Sequence, residues 1–187
     1  MSRYELLLFL HVGSVIVWLG AGTTLALAAA FARRSGDSRL QHDIVRLGEW
    51  LGPRVFGPAS LGALAVGLLL VWDGHWTFGP LWIKLGLAAF AATTVTNAVF
   101  RLRTLRRLER APAEAERAYR RLAQIARLDL TILYLAVADM IVKPSGSDTW
   151  TLVVGGAILA LAALGSVPAP IGRRPREADA SSGEPRS

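Results

Sequence analysis

The sequence predicts an all-α protein whose helices cross a membrane several times. Of its 187 residues 52% are hydrophobic, and the mean hydropathy is +0.39, too apolar for a soluble domain with charged surfaces. The apolar residues form runs of about 15 to 27 residues, which approach or exceed the helix length that a hydrocarbon core about 30 Å thick requires. The short alternating segments of spanning strands are not seen, so a polytopic helical bundle is favoured.

Five transmembrane spans are predicted, at about residues 4–32, 55–72, 81–100, 128–142 and 150–167. The length of the first run, and the polar His11 within it, favour a retained span over a cleaved signal sequence. A polar segment, 33–54, separates the first two spans. Pro53 and Pro58 are expected in the first turns of the second span, where a missing amide hydrogen costs least.

Residues 101–127 predict a helical hairpin that continues the third and fourth spans beyond the membrane on the cytoplasmic side. Leu102 and Leu105 precede a break at Ala111-Pro112 and can face Leu122 and Ile125 after it. Residues 1–170 are therefore expected to form one transmembrane domain. Residues 171–187, rich in Arg, Ser, Pro, Glu and Asp with no apolar face, predict a disordered cytoplasmic tail.

Basic residues alternate across the predicted membrane. Of the 21 Lys and Arg residues, 18 fall in the three segments that follow the first, third and fifth spans. The positive-inside rule makes these segments cytoplasmic, which places the amino terminus outside and the carboxyl terminus inside. The arginines of 101–127 are accompanied by a single aromatic residue, Tyr119, so the pattern favours anionic lipid headgroups over nucleic acid as partners.

Ionisable residues inside predicted spans are the first candidates for function, because a bilayer makes them costly. His11, Lys84 and Asp139 are all expected near the outer end of their helices, close to the outer turn that contains His75. One hypothesis is an outer polar pocket in which Lys84 and Asp139 form a buried pair. The alternative for Lys84 is snorkelling, with its ammonium group at the interface beside Trp82.

His11 also has two interpretations. Ser14, Trp18 and Gly22 share its helical face, so it could be an axial ligand or a proton-transfer group. It could equally hydrogen-bond across helices and stabilise their packing. Small residues recur at every fourth position in Gly20-Thr24-Ala28 and Ala59-Ala63-Gly67, which predicts close helix contacts. The absence of cysteine excludes thiolate metal sites, and the separated histidines predict no metal site.

Two segments resemble known membrane families. Residues 5–20, containing Leu10-His11-Val12 followed by Trp18, resemble the first helix of HemJ-like and CopD-like membrane proteins. Gly79-Pro80-Leu81-Trp82-Ile83-Lys84-Leu85 is similar to a later helix start in those families. The whole chain is more similar to a bacterial family of predicted integral membrane proteins of unknown function, and this resemblance implies a bacterial cytoplasmic (inner) membrane, crossed several times.

The resemblance to HemJ-like proteins implies haem b as a cofactor and a role in protoporphyrinogen oxidation. His11 would then be the haem ligand, with Lys84 and Trp18 beside it, whereas Ser14, Asp139 and His75 belong to the polar pocket. The low methionine content and the absent cysteine argue against the copper transport of CopD-like proteins. Three hypotheses follow: a membrane protein of unknown role with an outer polar pocket, a haem-binding redox protein, and a small transporter. The sequence leaves open the choice between them, any enzymatic activity and the oligomeric state.

Overall fold

The computed structural model describes residues 2–110, 115–145 and 147–164, and the regular elements within these ranges are all helical. The predicted tail and the Ala111-Pro112 break lie outside the described residues. The helices are α1 (Arg3–Ser35), α2 (Ser38–Leu51), α3 (Gly57–Asp73), α4 (Leu81–Val95), α5 (Leu102–Arg110), α6 (Ala115–Val142) and α7 (Thr149–Leu164), with π-helical segments at Gly52–Phe56 and Thr96–Arg101. The all-α prediction is confirmed.

Capping residues define both ends of α1. At its start, the hydroxyl of Ser2 accepts from the backbone N–H of Glu5, and the Glu5 carboxylate accepts from the N–H of Ser2, which is a capping box. At its end, Gly36 adopts a left-handed backbone with a φ of 71° that residues with a Cβ rarely tolerate. Asp37 then caps α2 by accepting from the N–H groups of Arg39 and Leu40.

The polar segment 33–54 is largely helical, which the sequence analysis did not predict. Helix α2 is amphipathic, and Gln41, Ile44, Val45 and Gly48 turn towards the bundle. It continues into α3 without a break, so that Ser38–Asp73 forms one helical rod. Pro53 and Pro58 lack an amide hydrogen and would interrupt an α-helix. The chain passes Pro53 in a π-helical turn, where Gly57 N–H donates to Gly52 O, and Pro58 lies in the first turn of α3.

The helices form an antiparallel bundle in which α1 packs most extensively on α3 and α6 packs on α1, α4 and α7. At one end, a salt bridge of 3.2 Å joins Arg3 at the start of α1 to Asp73 at the end of α3. We call this the tryptophan end, because it also holds Trp76 and Trp82. The other end, where α1 stops and α5 packs on α6, is the arginine end.

Three helical segments in the described part are long and apolar enough to cross a membrane: Arg3–Ser35, Ser38–Asp73 and Leu81–Arg106. A shorter apolar helix covers Thr149–Ala163 in α7. The predicted fourth span is the second half of the continuous helix α6, which carries Asp129 and Asp139. By length and composition these segments agree with an integral membrane protein, and the spans at 128–142 and 150–167 stay predictions.

Candidate functional site

His11 lies in the interface between α1 and α3. Its Nδ1 is 2.8 Å from the backbone oxygen of Ala63, so a proton on Nδ1 is donated to α3. The ring also lies against Gly67, where an added Cβ would come within 3.0 Å of His11 Cε1. The small residues Ala63 and Gly67 thus form the surface against which the imidazole packs. Their spacing predicted close helix contacts of this kind. This geometry agrees with the interpretation of His11 as a helix-packing residue.

On its α3 side, His11 is packed against protein, which bears on the haem hypothesis. Ser14 lies against α3, with its hydroxyl 3.1 Å from where a Cβ would stand at Gly62, and Leu130 of α6 is 3.3 Å from the same position at Gly22. Trp18 turns away from α3 and meets Phe90 of α4 edge to face, with ring centroids 6.1 Å apart. The α3 side of His11 therefore leaves no room for a flat ring, whereas a Cβ at the neighbouring Gly13 would meet nothing within 4 Å.

Lys84 and Asp139 form no salt bridge in the structure, which contradicts the predicted buried pair. Lys84 is exposed on α4, because the neighbouring Ile83, only 4% exposed, is the residue that turns inward. Both carboxylate oxygens of Asp139 are buried and accept no hydrogen bond from the described residues. The exposed position of Lys84 agrees with the alternative of a lysine at the membrane interface.

The turn between α3 and α4, at the tryptophan end, is held by aromatic rings rather than by the predicted pocket. Trp76 and Trp82 meet edge to face with centroids 5.7 Å apart, and the Lys143 ammonium lies 5.5 Å and 5.4 Å from these centroids. His75 is exposed, with a left-handed φ of 53°. A cation over two indole faces is stabilised by the ring quadrupoles. Lys143 therefore ties the end of α6 to the turn between α3 and α4.

A cavity of about 840 Å³ lies at the arginine end, between α1, α2, α4, α5 and α6, and we call it the arginine-end cavity. Its walls are mostly small or apolar side chains, among them Trp18, Leu25, Ala26, Ala29, Ile44, Val45, Phe56, Leu102, Leu105, Leu122, Ile125, Leu130 and Leu133. His11, Lys84, Asp139 and His75 do not line it. Of the six site residues predicted from the sequence, the cavity includes only Trp18.

Polar groups interrupt the apolar walls on several sides of the arginine-end cavity. Asn97, in the π-helical segment after α4, donates from Nδ2 to Asp129 Oδ2 on α6 over 2.8 Å and to the backbone oxygen of Thr93 over 2.9 Å. Gln41 of α2 lines the cavity, and its Oε1 is buried without a donor among the described residues. A few polar groups set in apolar walls are typical of small-molecule sites.

The charged residues that line the cavity are mostly arginines. Arg33 comes from the last turns of α1, Arg106 from α5 and Arg127 from α6, and the acidic residues lining it are Glu49 and Asp129. Arg106 and Arg127 are exposed, which leaves their guanidinium groups accessible. Two π-helical segments, Gly52–Phe56 and Thr96–Arg101, contribute to the walls, and such segments occur frequently at functional sites.

A family model described as predicted integral membrane protein (DUF2269) matches residues 5–144. The chain belongs to this family. In this DUF2269 member the match covers every residue that lines the arginine-end cavity, whereas α7 lies beyond it. No curated protein and no solved structure matches the chain significantly. The family establishes an integral membrane protein and by its description assigns no biochemical activity.

Sequence analysis missed the cavity because its residues come from distant parts of the chain. Asp129 is visible as an acidic residue in span four, but nothing in the sequence pairs it with Asn97. One usable signal was the apolar spacing Leu40, Ile44, Gly48 and Leu51 after the cap residue Asp37, which is typical of an amphipathic helix. That helix closes one side of the cavity of the DUF2269 member.

Proposed function

We propose that this integral membrane protein binds one amphipathic small molecule in the arginine-end cavity. The observation that carries the proposal is the cavity itself, about 840 Å³ in volume, with apolar walls and few polar groups. Ligand pockets commonly measure roughly 300–1,000 Å³ and are built in this way. The partly buried Asn97–Asp129 contact supports the proposal, because polar residues within membrane segments are costly and commonly serve function.

Filling the cavity tests this proposal. Ala29 lines the cavity from α1, and Ala65 is an exposed residue of α3 that does not line it. We expect Ala29→Phe to lower the binding of added phosphatidylcholine and phosphatidylglycerol to the delipidated protein, measured by native mass spectrometry. The matched variant Ala65→Phe should bind both lipids as the wild type does. Equal lipid binding by the two variants would overturn the proposal.

Orientation and location belong to the same proposal. The charge asymmetry supports an orientation with the arginine end, and hence the cavity, in the cytoplasmic leaflet. The bacterial cytoplasmic (inner) membrane is proposed from the family resemblance. A ligand would then enter from that leaflet or from the cytoplasm. A small transporter, the third hypothesis from the sequence, would need the same binding step before any transport.

Haem binding is a second candidate with one observation in its favour. When Nδ1 of His11 donates to Ala63 O, Nε2 carries the lone pair that a metal ligand needs, and second-shell hydrogen bonds commonly orient histidine ligands in this way. Against it, Ala63 and Gly67 of α3 lie against one side of the ring and leave no room there for a porphyrin. Protein purified from haem-replete cells decides the matter: a Soret band that His11→Ala abolishes and His42→Ala preserves would establish the haem role, whereas a colourless wild type removes it.

A further inference from the structure

We infer that the ligand of the arginine-end cavity is an anionic lipid whose headgroup also carries hydroxyl donors, of the phosphatidylglycerol type. This inference rests on the proposed function and adds the chemistry of the headgroup. It combines three features of the cavity: cationic side chains that can receive a phosphate, acceptor oxygens that can receive hydroxyl groups, and apolar walls that can receive an acyl chain.

The cationic feature comes from residues on two different helices. Arg106 of α5 and Arg127 of α6 are exposed and line the cavity, at the end of the bundle where most of the arginines lie. A guanidinium group can bind a phosphate through two parallel hydrogen bonds. Basic pockets between transmembrane helices on the cytoplasmic side bind anionic headgroups for the same reason. The phosphate is therefore expected beside these two arginines.

The acceptor feature lies within the walls. The Oε1 atom of Gln41 is buried and receives no hydrogen bond from the described residues, a condition that costs free energy unless a donor arrives. A ligand with hydroxyl groups supplies that donor, whereas a bare phosphate monoester supplies fewer donors and a choline headgroup supplies none. Gln41 is carried by α2, which contributes one wall of the cavity. The acceptor thus favours a glycerol headgroup over both alternatives.

The apolar feature leads away from the charges towards the middle of the bundle. Ala26 and Gly22 follow one face of α1 from the arginine end to Trp18, and all three line the cavity. At Gly22 the space is taken by Leu130 of α6. The small side chains of Ala26, Ala29 and Ala30 leave room that an acyl chain can fill, and Leu133 of α6 lines the same cavity. A lipid in the cytoplasmic leaflet would have its headgroup at the arginine level and its tail at this depth.

Native mass spectrometry of the full chain with phosphatidylglycerol, phosphatidic acid and phosphatidylcholine of identical acyl chains tests the inference. We expect phosphatidylglycerol to bind about 10-fold more tightly than phosphatidylcholine, with phosphatidic acid between them. The double variant Arg106→Gln/Arg127→Gln should weaken the binding of both anionic lipids to the same extent. Gln41→Leu should lower the affinity for phosphatidylglycerol to that for phosphatidic acid. Arg3→Gln, at the tryptophan end, is the matched control and should leave the binding of all three lipids unchanged.

The outcomes separate the inference from the proposed function. If Ala29→Phe blocks all three lipids and they bind equally to the wild type, the cavity binds lipid but the headgroup assignment is wrong. The double arginine variant could lose the binding of the anionic lipids while Gln41→Leu leaves the order of their affinities unchanged. In that case the cavity binds anions, but Gln41 does not select a headgroup with hydroxyl groups. If Ala29→Phe binds every lipid as the wild type does, the proposed function itself fails.

Discussion

The side-chain amide of Asn97 donates a hydrogen bond of 2.8 Å to the carboxylate of Asp129 and so joins the end of α4 to α6. The same amide nitrogen also reaches the backbone oxygen of Thr93, one turn earlier in its own helix. Both residues line the arginine-end cavity. The contact thus links the packing of two helices to the shape of the candidate site.

Removing this contact should destabilise the bundle. We expect Asn97→Leu to lower the free energy of unfolding by about 1–3 kcal/mol, because it leaves the Asp129 oxygen without this donor. Thr96→Val is the control, since Thr96 donates only to Ala92 O of its own helix. Unfolding monitored by circular dichroism in one detergent compares the variants. Equal stability of Asn97→Leu and Thr96→Val would contradict the prediction.

Replacing glycine by alanine should have opposite effects on stability at Gly67 of α3 and at Gly20 of α1. At Gly67 a Cβ would come within 3.0 Å of His11 Cε1, so the imidazole must shift and its hydrogen bond to Ala63 O weakens. At Gly20 a Cβ meets nothing within 4 Å, and alanine is favoured in a helix by about 0.5–1 kcal/mol. Gly20→Ala should raise the unfolding temperature and Gly67→Ala should lower it.

A second measurement ties the Gly67 effect to His11. When Gly67→Ala is made in the His11→Ala background, the steric conflict is gone, so the additional loss of stability should disappear. A loss of the same size in both backgrounds would show that the imidazole is not what occupies the space at Gly67.

Lys84 and Asp139 should act independently. A buried ion pair would lose about 3–5 kcal/mol when one partner is removed. The structure has no such pair, so Lys84→Met, Asp139→Leu and the double variant should show a coupling energy within about 0.5 kcal/mol of zero. Asp139→Leu should be neutral or stabilising, because it removes two buried oxygens that have no donor among the described residues. A large coupling energy in the double-mutant cycle would show that Lys84 and Asp139 do form a pair.

The turn between α6 and α7 should loosen in acid. The backbone N–H and the hydroxyl of Ser145 donate to Asp148 Oδ2 over 2.7 Å and 2.9 Å, and these bonds hold the pKa of Asp148 below its ordinary value of 3.8. A lowered pKa in the folded state contributes stability that is present above the unfolded value and lost as the pH falls through the folded value.

Hydrogen exchange of the Ser145 amide measures this effect. Its protection factor should be constant from neutral pH down to about pH 4 and should fall below that, as the carboxyl group takes up a proton. Asp148→Asn should show low protection throughout. A wild-type protection factor that stays unchanged well below the ordinary pKa of Asp would contradict the assignment.

Single-cysteine labelling tests the predicted orientation, and the chain is suited to it because it has no cysteine of its own. Thr77→Cys and Ser147→Cys lie at the tryptophan end, and Ser38→Cys lies at the arginine end, all at exposed positions. An impermeant maleimide added to intact cells should modify the first two and spare the third. Ready modification of the cysteine at position 38 would show that the arginine end faces outward, opposite to the predicted orientation.

Sequence alone determined the class of this protein, because hydropathy and charge are properties of segments and act locally on each helix. Long apolar runs are visible in the sequence, so the first residues of α1 and α4 could be predicted to within a few positions. The helical nature of 38–51 was missed because the segment was judged by its polarity rather than by its period. The continuous rod through Pro53 was missed because the prolines were expected to mark a helix start.

Tertiary structure decided which polar residues meet, because a contact between distant helices depends on the rotation of each helix about its axis. Lys84 and Asp139 share a predicted depth, yet Ile83 takes the inward position on α4 and leaves Lys84 exposed. Asn97 and Asp129, 32 positions apart, meet because α4 and α6 run antiparallel and close together. Depth in the membrane can be counted along the chain, but the face that each helix presents is set by the packing of its neighbours.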